Sequence, residues 1–482
     1  MKKIMSAKVN NALVIGFLTF FISAGWAFAS PPGSSPDEDA HLTTAWCQSK
    51  YGSENCVEIP LRVVESGKCF FLDADTIPTC ENKLSDSNVA PERILSGNIY
   101  YRVISNLIEE SSIDRSIVLM RLLNALIFSV LVAIVTLLST RVVWQATILG
   151  LLIINVPLGY FIISSINSSS WPFIFIALLF PLLYNLFNFQ QSILILIFKI
   201  AILILLFQFT KQVRADVILF VSIYLVTMIP LVYQSKSQSQ RSKSINRQLK
   251  IILPISSVIL SLFLLRELWN RSNLVNFSEN EISLWENFSR IPSLITGIFG
   301  GWGLGSLEVR MPSISYVIIL IIIFSIIFRS FKYSNFIELN LQLLLLIFAF
   351  AIPLFVLINS NLRVGEWVQP RYILPIFYGL IMLSILIILK NAKNLSELIP
   401  LIFLSFVAYS FALFTTLRRY TTGLATFDLD LINDESWWWS LTWIPQPILI
   451  FTISITCYLI LWVYVYRQIR NDKKQLSHIS FN

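Results

Sequence analysis

The sequence predicts an all-α polytopic membrane protein of about twelve transmembrane helices with a large first extracytoplasmic loop. Three observations carry that reading. Of the 482 residues, 55% are hydrophobic and only 13% charged, and the mean hydropathy is +0.70, a balance foreign to soluble domains. Apolar runs of roughly 20 residues recur, and in hydrocarbon such a run satisfies its own backbone only as a helix. Lysine and arginine collect in alternate connections, as the positive-inside rule requires.

With the amino terminus inside, the spans fall near 11–29, 116–138, 146–163, 171–187, 191–209, 216–233, 251–267, 313–329, 340–358, 373–389, 397–416 and 446–466. Lys2, Lys3, Lys8, Lys236, Arg241, Lys243, Arg247, Lys250, Arg329, Lys332, Lys390, Lys393, Arg467, Arg470, Lys473 and Lys474 then all face the cytosol. The net charge of +8 is therefore mostly an orientation signal, and it gives a nucleic-acid partner little support.

The first segment, 1–29, reads as a retained anchor. Its apolar core of about eighteen residues exceeds that of a cleaved signal, although Ala27-Phe28-Ala29 stands before Ser30 as at a cleavage site. Residues 30–115 form the external loop. Cys47, Cys56, Cys69 and Cys80 lie in it and Cys457 in the last span, so two disulfides are expected, with three connectivities open. Zinc is the competing reading, but CxxC spacing is lacking. Ile94, Leu95, Ile99, Val103 and Leu107 keep a rough helical period, predicting an interfacial helix within 91–110. Residues 116–234 make a first bundle and 235–250 a basic cytosolic linker. Residues 251–466 make a second bundle with external loops 267–312, 359–371 and 417–445, and 467–482 is a cytosolic tail. The glycine-rich apolar stretch 291–304 is too short to cross, which predicts a re-entrant piece lining a cavity.

Nearly all non-repetitive sequence is thus external. The internal loops hold no GxxxxGK[ST] or GxGxxG phosphate cradle, which speaks against a cytosolic nucleotide-using enzyme. Pro31-Pro32-Gly33-Ser34-Ser35-Pro36 leads from the first span into Asp37, Glu38, Asp39 and His41. Acids beside hydrocarbon must keep water, find cations or meet a substrate. Asp37 or Glu38 suits a general base for a hydroxyl acceptor, because a carboxylate takes the proton only as the hydroxyl attacks; the competing reading is a solvated acidic turn. The acids leave room for a divalent cation that nothing else fixes.

Lys211, Arg214, Arg310, Arg363, Arg371, Arg418 and Arg419 fall on the external side, where orientation disfavours them, and guanidinium forks bind phosphate. Arg371, which enters a span, is the best such candidate; pairing with Glu366 or a lipid headgroup competes. Arg214 is expected to pair with Asp216, Arg121 to snorkel outward, and Lys199 to mark a shifted boundary or a snorkelling side chain. Trp437-Trp438-Trp439 and Trp443 read first as an interfacial belt and second as a sugar platform. With His41 and His478 as the only histidines, a His-dependent hydrolase or His-rich metal enzyme finds no support.

Pro36-Asp37-Glu38-Asp39-Ala40-His41-Leu42 is similar to the PDE-x-AH signature that follows the first span in a bacterial membrane-protein family catalogued as domain of unknown function 2142. Tyr100-Tyr101, Met120-Arg121-Leu122, Ser165-Ile166-Asn167-Ser168-Ser169, Gly301-Trp302 through Pro312, and Gln369-Pro370-Arg371-Tyr372 through Pro375 agree in order. The resemblance covers most of the chain, and the acidic motif and the Gln-x-Arg-Tyr piece are its specific parts. Pro370 stands where the family usually has glycine, and Ser168 follows Asn167 where proline is more usual.

That family looks like the GT-C glycosyltransferases. The resemblance implies a GT-C-like fold in a bacterial plasma membrane with an extracytoplasmic active face. It also implies sugar transfer from a polyprenyl-phosphate-linked donor to a glycan, lipid or protein acceptor of the cell envelope, with membrane lipids around it. Asp37 or Glu38 becomes the acid at the acceptor and Arg371 the phosphate ligand, with Asp39, His41, Arg214, Arg363 and Tyr372 as further substrate-binding candidates. The rivals are a polysaccharide polymerase or ligase, and a flippase or transporter of lipid-linked saccharides. A transporter should carry polar groups near mid-membrane, whereas these charges cluster at one face.

Overall fold

The computed structural model describes residues 2–52, 56–85, 87–186, 193–237, 284–366, 368–391, 398–424, 431 and 437–479. Its helices in chain order are α1 (Lys2–Phe28), α2 (Glu38–Tyr51), α3 (Leu61–Val64), α4 (Ile99–Ile104), α5 (Ile113–Leu138), α6 (Arg141–Ile154), α7 (Leu158–Ile163), α8 (Ser170–Leu186), α9 (Ile193–Val213), α10 (Val217–Ser237), α11 (Leu284–Arg290), α12 (Pro292–Ile298), α13 (Ser313–Tyr333), α14 (Phe336–Asn359), α15 (Leu374–Asn391), α16 (Leu398–Thr421) and α17 (Pro447–Ile479). Among the described residues, eight helices are long and apolar enough to cross a membrane: α1, α5, α9 and α13 to α17. Arg141–Ile154, Ser170–Leu186 and Val217–Met228 are apolar but shorter. Each apolar run read from the sequence falls on a helix, except 251–267, which lies outside the described residues.

One expected span is broken. The run 146–163 forms α6 and α7 around Asn155, Val156 and Pro157, because proline has no amide to continue the ladder and pushes the preceding residue out of helical backbone. Asn155 Oδ1 accepts the Tyr378 hydroxyl from α15 at the break. Every residue of α15 from Leu374 to Leu389 is buried, as expected of a helix apolar all round, and α6, α8, α13 and α14 pack on it. Gly379 lets α10 approach. A Cβ there would lie 2.4 Å from the Tyr224 ring, whose hydroxyl instead accepts the Gly379 amide at 2.8 Å. α1 lies along α5 and α17, burying Ile15, Ile22 and Trp26.

The connections sort into two groups. Those assigned to the outer face touch one another: Asn167 Nδ2 donates to the Pro36 carbonyl at 2.9 Å, Arg214 to Ser169 Oγ at 2.7 Å, and Arg419 to the Thr76 carbonyl at 2.9 Å. Those assigned to the inner face do the same, with Gln145 donating to Asp472 at 2.9 Å and Asn391 to the Tyr333 carbonyl at 3.4 Å. Lys199 lies buried in the second turn of α9 and donates to the Asn185 carbonyl at 3.3 Å, where the negative end of the α8 dipole welcomes a cation.

In the cap between α1 and α5 the disulfides are Cys47–Cys56 and Cys69–Cys80, with Cα atoms 5.2 and 6.1 Å apart. All four thiols are thereby consumed, which leaves none for zinc. A two-stranded antiparallel ladder, β1 (Ile59–Pro60) and β2 (Asn88–Val89), closes off the segment 61–87 within the cap, with Ile59 opposite Val89. The helix expected within 91–110 is limited to α4 and a 3₁₀ turn to Leu107. Asn98 caps its start by accepting the Tyr100 amide at 2.9 Å. Its inward face carries Tyr100, Tyr101 and Ile104, while Ile94 and Val103 are exposed; the aromatic rings, with more area to bury, override the aliphatic period. Trp438 and Trp439 are also buried. Trp439 Nε1 donates to the Phe28 carbonyl at 3.1 Å, so these two make neither an interfacial belt nor a sugar platform; Trp443 is the exposed member.

Candidate active site

Asp37 turns the chain from the proline-rich segment into α2 with left-handed backbone, φ 61° and ψ 13°, a conformation that a short polar residue tolerates better than an apolar one. That turn separates the three consecutive acids, sending Glu38 inward and leaving Asp37 and Asp39 on one cavity.

Glu38 goes inward and is 0% exposed, as is its partner Arg121. Arg121 Nε and Nη2 donate to the two carboxylate oxygens at 3.1 and 2.7 Å. The remaining guanidinium bonds go to the carbonyls of Ala27, Ser30 and Pro31 at 3.0, 2.6 and 2.8 Å. Glu38 also accepts the Ser35 and Ile166 amides at 3.2 and 2.8 Å. Arg121 therefore does not snorkel. All five of its N–H bonds are spent inside the protein, binding α1, α2, α5 and the turn after α7 at one point.

Asp37 faces a cavity of about 390 Å³. Its Oδ2 accepts from Arg371 Nη2 at 3.1 Å and its Oδ1 from Arg93 Nη1 at 3.2 Å. Burial raises the Asp37 carboxyl, but Arg371, by charge and hydrogen bond, and then Arg93 outweigh it and hold the group below its ordinary 3.8. Asp39 lines the same cavity. His41 does not. It is buried against Tyr101, with Nδ1 2.5 Å from the hydroxyl, and burial pushes it down to about 3, so it is neutral and props the acidic turn from behind.

Arg371 lies in the 3₁₀ turn Pro370–Tyr372 that opens α15. Pro370, at its first position, suits such a turn, since its missing amide would have no partner there. Arg371 is 8% exposed. Its Nη2 holds Asp37, while its Nε and Nη1 have no hydrogen-bond partner among the described residues. Tyr372 is shared by two guanidinium groups, Arg371 at 5.4 Å and Arg214 at 5.3 Å from the ring centre. Arg214 pairs bidentately with Asp216 at 3.2 and 2.7 Å. Arg363 pairs with Glu286 at 3.3 Å and lies outside the cavity lining. The structure thus brings Asp37, Asp39 and Arg371 together, places Tyr372 and Arg214 behind them, and leaves Glu38, His41 and Arg363 off the cavity wall.

The opposite wall is the stretch 302–307, together with Gly297 and Gly365. The apolar piece read as re-entrant therefore does line a cavity. Gly303 and Gly305 adopt φ of 91° and 67°, which lets the loop double back. A Cβ on Gly297 would lie 3.2 Å from Trp302 Cγ, and one on Gly365 3.5 Å from the far end of the indole. Two glycines thus bracket the ring. Sequence reasoning missed Arg93, Trp302, Phe71 and Leu72, all of which line the cavity. Trp302 stood in one of the agreeing motifs; Arg93 was hidden in a segment read for its apolar period. Among the described residues no three His, Cys, Asp or Glu side chains gather to hold a metal, because the acids diverge at Asp37.

A family model described as "predicted membrane protein (DUF2142)" matches residues 20–380. The chain belongs to this family. In DUF2142 terms the match runs from within α1 into α15, so it takes in Asp37, Arg121, the 302–307 loop and Arg371. No curated protein and no solved structure matches the chain.

Proposed function

We propose that this DUF2142 protein is a GT-C-like membrane glycosyltransferase. It moves a sugar from a polyprenyl-phosphate-linked donor to a hydroxyl of an envelope glycan, lipid or protein at the extracytoplasmic face. The observation that carries the reading is Arg371, a nearly buried guanidinium with two nitrogens that find no hydrogen-bond partner among the described residues, on a wall shared with Asp37. A buried cation with unmet donors is costly until an anion completes its bonding, and phosphate oxygens fit the guanidinium fork. The cavity mouth suits an amphipathic donor. Phe71, Leu72 and Leu307 are exposed apolar side chains there, and Leu72 and Leu307 hold φ of 60° and 75°, backbone that such residues rarely adopt.

The acceptor oxygen attacks the anomeric carbon. The bond from that carbon to the phosphate oxygen breaks, its electron pair leaves on the phosphate, and the hydroxyl proton passes to Asp37. Arg371 and Arg93 stabilise the charge growing on the departing phosphate. While both arginines hold Asp37, it is a weak base. A donor phosphate that draws them to itself loosens that hold, so the carboxylate gains proton affinity once the donor is bound. Glu38, with its oxygens occupied by Arg121 and two amides, takes no part in proton transfer.

The test is transfer by the purified full-length protein from a polyprenyl-phosphate-linked sugar to a soluble acceptor. Asp37→Asn should lower turnover by about a hundredfold or more, and Arg371→Lys should raise the donor KM, since lysine keeps the charge but loses the fork. Near-wild-type kinetics in both would overturn the assignment. Movement of the donor lipid across vesicles without transfer would favour the flippase reading.

A further inference from the structure

Trp302 stands at the head of the 302–307 wall and lines the Asp37 cavity together with Asp39, Gln369 and Ser306. Its backbone is fixed on both sides. The Gly301 amide donates to the Thr296 carbonyl at 2.8 Å, the Gly303 amide donates to the Gly300 carbonyl at 2.9 Å, and Leu304 bridges to Val309 across the turn that follows. The indole is half-buried, with a glycine at each of its ends. A Cβ on Gly297 would lie 3.2 Å from Cγ at one end, and a Cβ on Gly365 would lie 3.5 Å from Cη2 at the other. Glycine at both positions keeps side chains off the ring.

The ring also lies close to the Arg371 wall. The same Cβ on Gly297 would be 2.3 Å from Pro370 Cγ, so the indole sits beside the residue that precedes Arg371. Polar groups complete the lining. Among the described residues the side chains of Asp39, Gln369 and Ser306 make no hydrogen bond or ion pair, and they supply a carboxylate, an amide and a hydroxyl. A pyranose ring has the complement of both surfaces. Its faces carry C–H groups that lie on the negative face of an aromatic ring, and its rim carries hydroxyls that are costly to leave unpaired once out of water. The cavity, of about 390 Å³, falls within the range of small-molecule sites, about 300–1,000 Å³.

We propose that Trp302 is the platform for the hexopyranose ring of the donor, and that Asp39, Gln369 and Ser306 take that ring's hydroxyls. The proposal rests on the glycosyl-donor reading of this cavity and divides it in two. Arg371 and Arg93 hold the phosphate, and the first sugar beyond it lies flat on the indole beside Pro370. A site built to pair hydroxyls discriminates strongly against a ligand that lacks them. The cavity therefore prefers a phosphate diester that carries a hexose over one of equal charge that does not.

The test is binding by the purified full-length protein in the absence of acceptor, titrated and read by native mass spectrometry. The probes are short-chain polyprenyl phosphates bearing glucose, galactose, mannose or N-acetylglucosamine, and polyprenyl methyl phosphate, a diester of the same charge without a sugar. At least one sugar lipid should bind about tenfold or more tightly than the methyl diester. Trp302→Leu should weaken that sugar lipid by about tenfold and Trp302→Phe by less, because phenylalanine keeps a ring face; neither should change binding of the methyl diester. Asp39→Asn should likewise weaken the sugar lipid and spare the methyl diester. Equal binding of all the diesters by wild type, or an unchanged preference in Asp39→Asn or in a folded Trp302→Leu protein, would overturn the platform and leave the phosphate assignment of Arg371 standing. A Trp302→Leu protein that raises only the acceptor KM in transfer would also overturn it, giving the ring to the acceptor. Binding of none of these lipids by wild type would defeat the donor reading itself, and the platform with it.

Discussion

Arg371 Nη2 stands 3.1 Å from Asp37 Oδ2, joining two residues 334 positions apart in the chain. The contact puts the carboxylate that follows the first span and the guanidinium that opens α15 on one cavity wall, with Arg93 on the carboxylate's other oxygen. A carboxylate held by two cations is ordered and poorly basic, and both properties change when an anion shares the cations.

Arg93 is therefore expected to tune Asp37. Arg93→Gln removes one of the two charges from an exposed pair, so the fold should lose less than about 1 kcal/mol. In transfer assays the donor KM should rise and the acid limb of the pH profile should move to higher pH, since Asp37 loses part of what holds it ionised. An unchanged acid limb would show that Asp37 is not the group titrating there.

The neighbouring acid should behave differently. Glu38→Gln leaves Arg121 buried and short of its counter-charge, with an expected cost of about 3–5 kcal/mol, read as lost yield and a lower Tm. A stable but inactive Glu38→Gln protein would reverse the roles of the two acids.

Two buried groups in the cap have opposite pH slopes. Burial pushes Glu81 from 4.5 up to about 7. The folded state therefore keeps a proton that the unfolded chain releases, and this stabilisation, full below about 4.5, is lost as pH rises through about 7. Burial pushes His41 from 6.5 down to about 3, so the unfolded chain takes up a proton that the fold refuses, and stability falls as pH drops below 6.5. Between 4.5 and 6.5 the slopes oppose each other, each about 1.4 kcal/mol per pH unit. In melting experiments across that window, Glu81→Gln should leave stability falling towards acid and His41→Gln should leave it falling towards alkali. Identical pH dependence in both variants would contradict this account.

Peptide mapping of non-reduced protein should recover Cys47 with Cys56 and Cys69 with Cys80, and Cys457 as a free thiol. Replacing either pair by serine should cost about 2–4 kcal/mol. The Cys69–Cys80 loss should fall on the cavity mouth, because Arg419 holds the carbonyls of Phe70, Asp73 and Thr76 within that loop. Cross-paired peptides would contradict the observed connectivity.

Orientation is checked by labelling whole cells with a membrane-impermeant thiol reagent. Leu72→Cys, at the exposed mouth, should react from outside, whereas Ser242→Cys in the basic linker should react only after permeabilisation. Labelling of both from the same side would refute the extracytoplasmic assignment.

Apolar length by itself determined where helices form, because a membrane helix closes its hydrogen bonds within one short stretch of chain. The Lys/Arg alternation sorted the connections into two sets that the structure brings together separately. The acidic motif and Arg371 were legible as a candidate pair for the same reason: both lie in connections assigned to one face. Proline at 157 was present in the sequence but was passed over in favour of the apolar run, so the break between α6 and α7 was missed. Tertiary structure decided what each charge does. Asp37 and Glu38 are adjacent, chemically alike acids, yet one left-handed residue sends the first to a cavity beside Arg371 and the second into a sealed pair with Arg121. Arg121 and Arg371 are likewise the same residue type, and what separates them is how many donors are already spent, five in one and a single nitrogen in the other. Partners of that kind come from segments tens to hundreds of residues away. Their selection depends on how helices pack and how the cap folds over them, information that local composition and spacing do not contain.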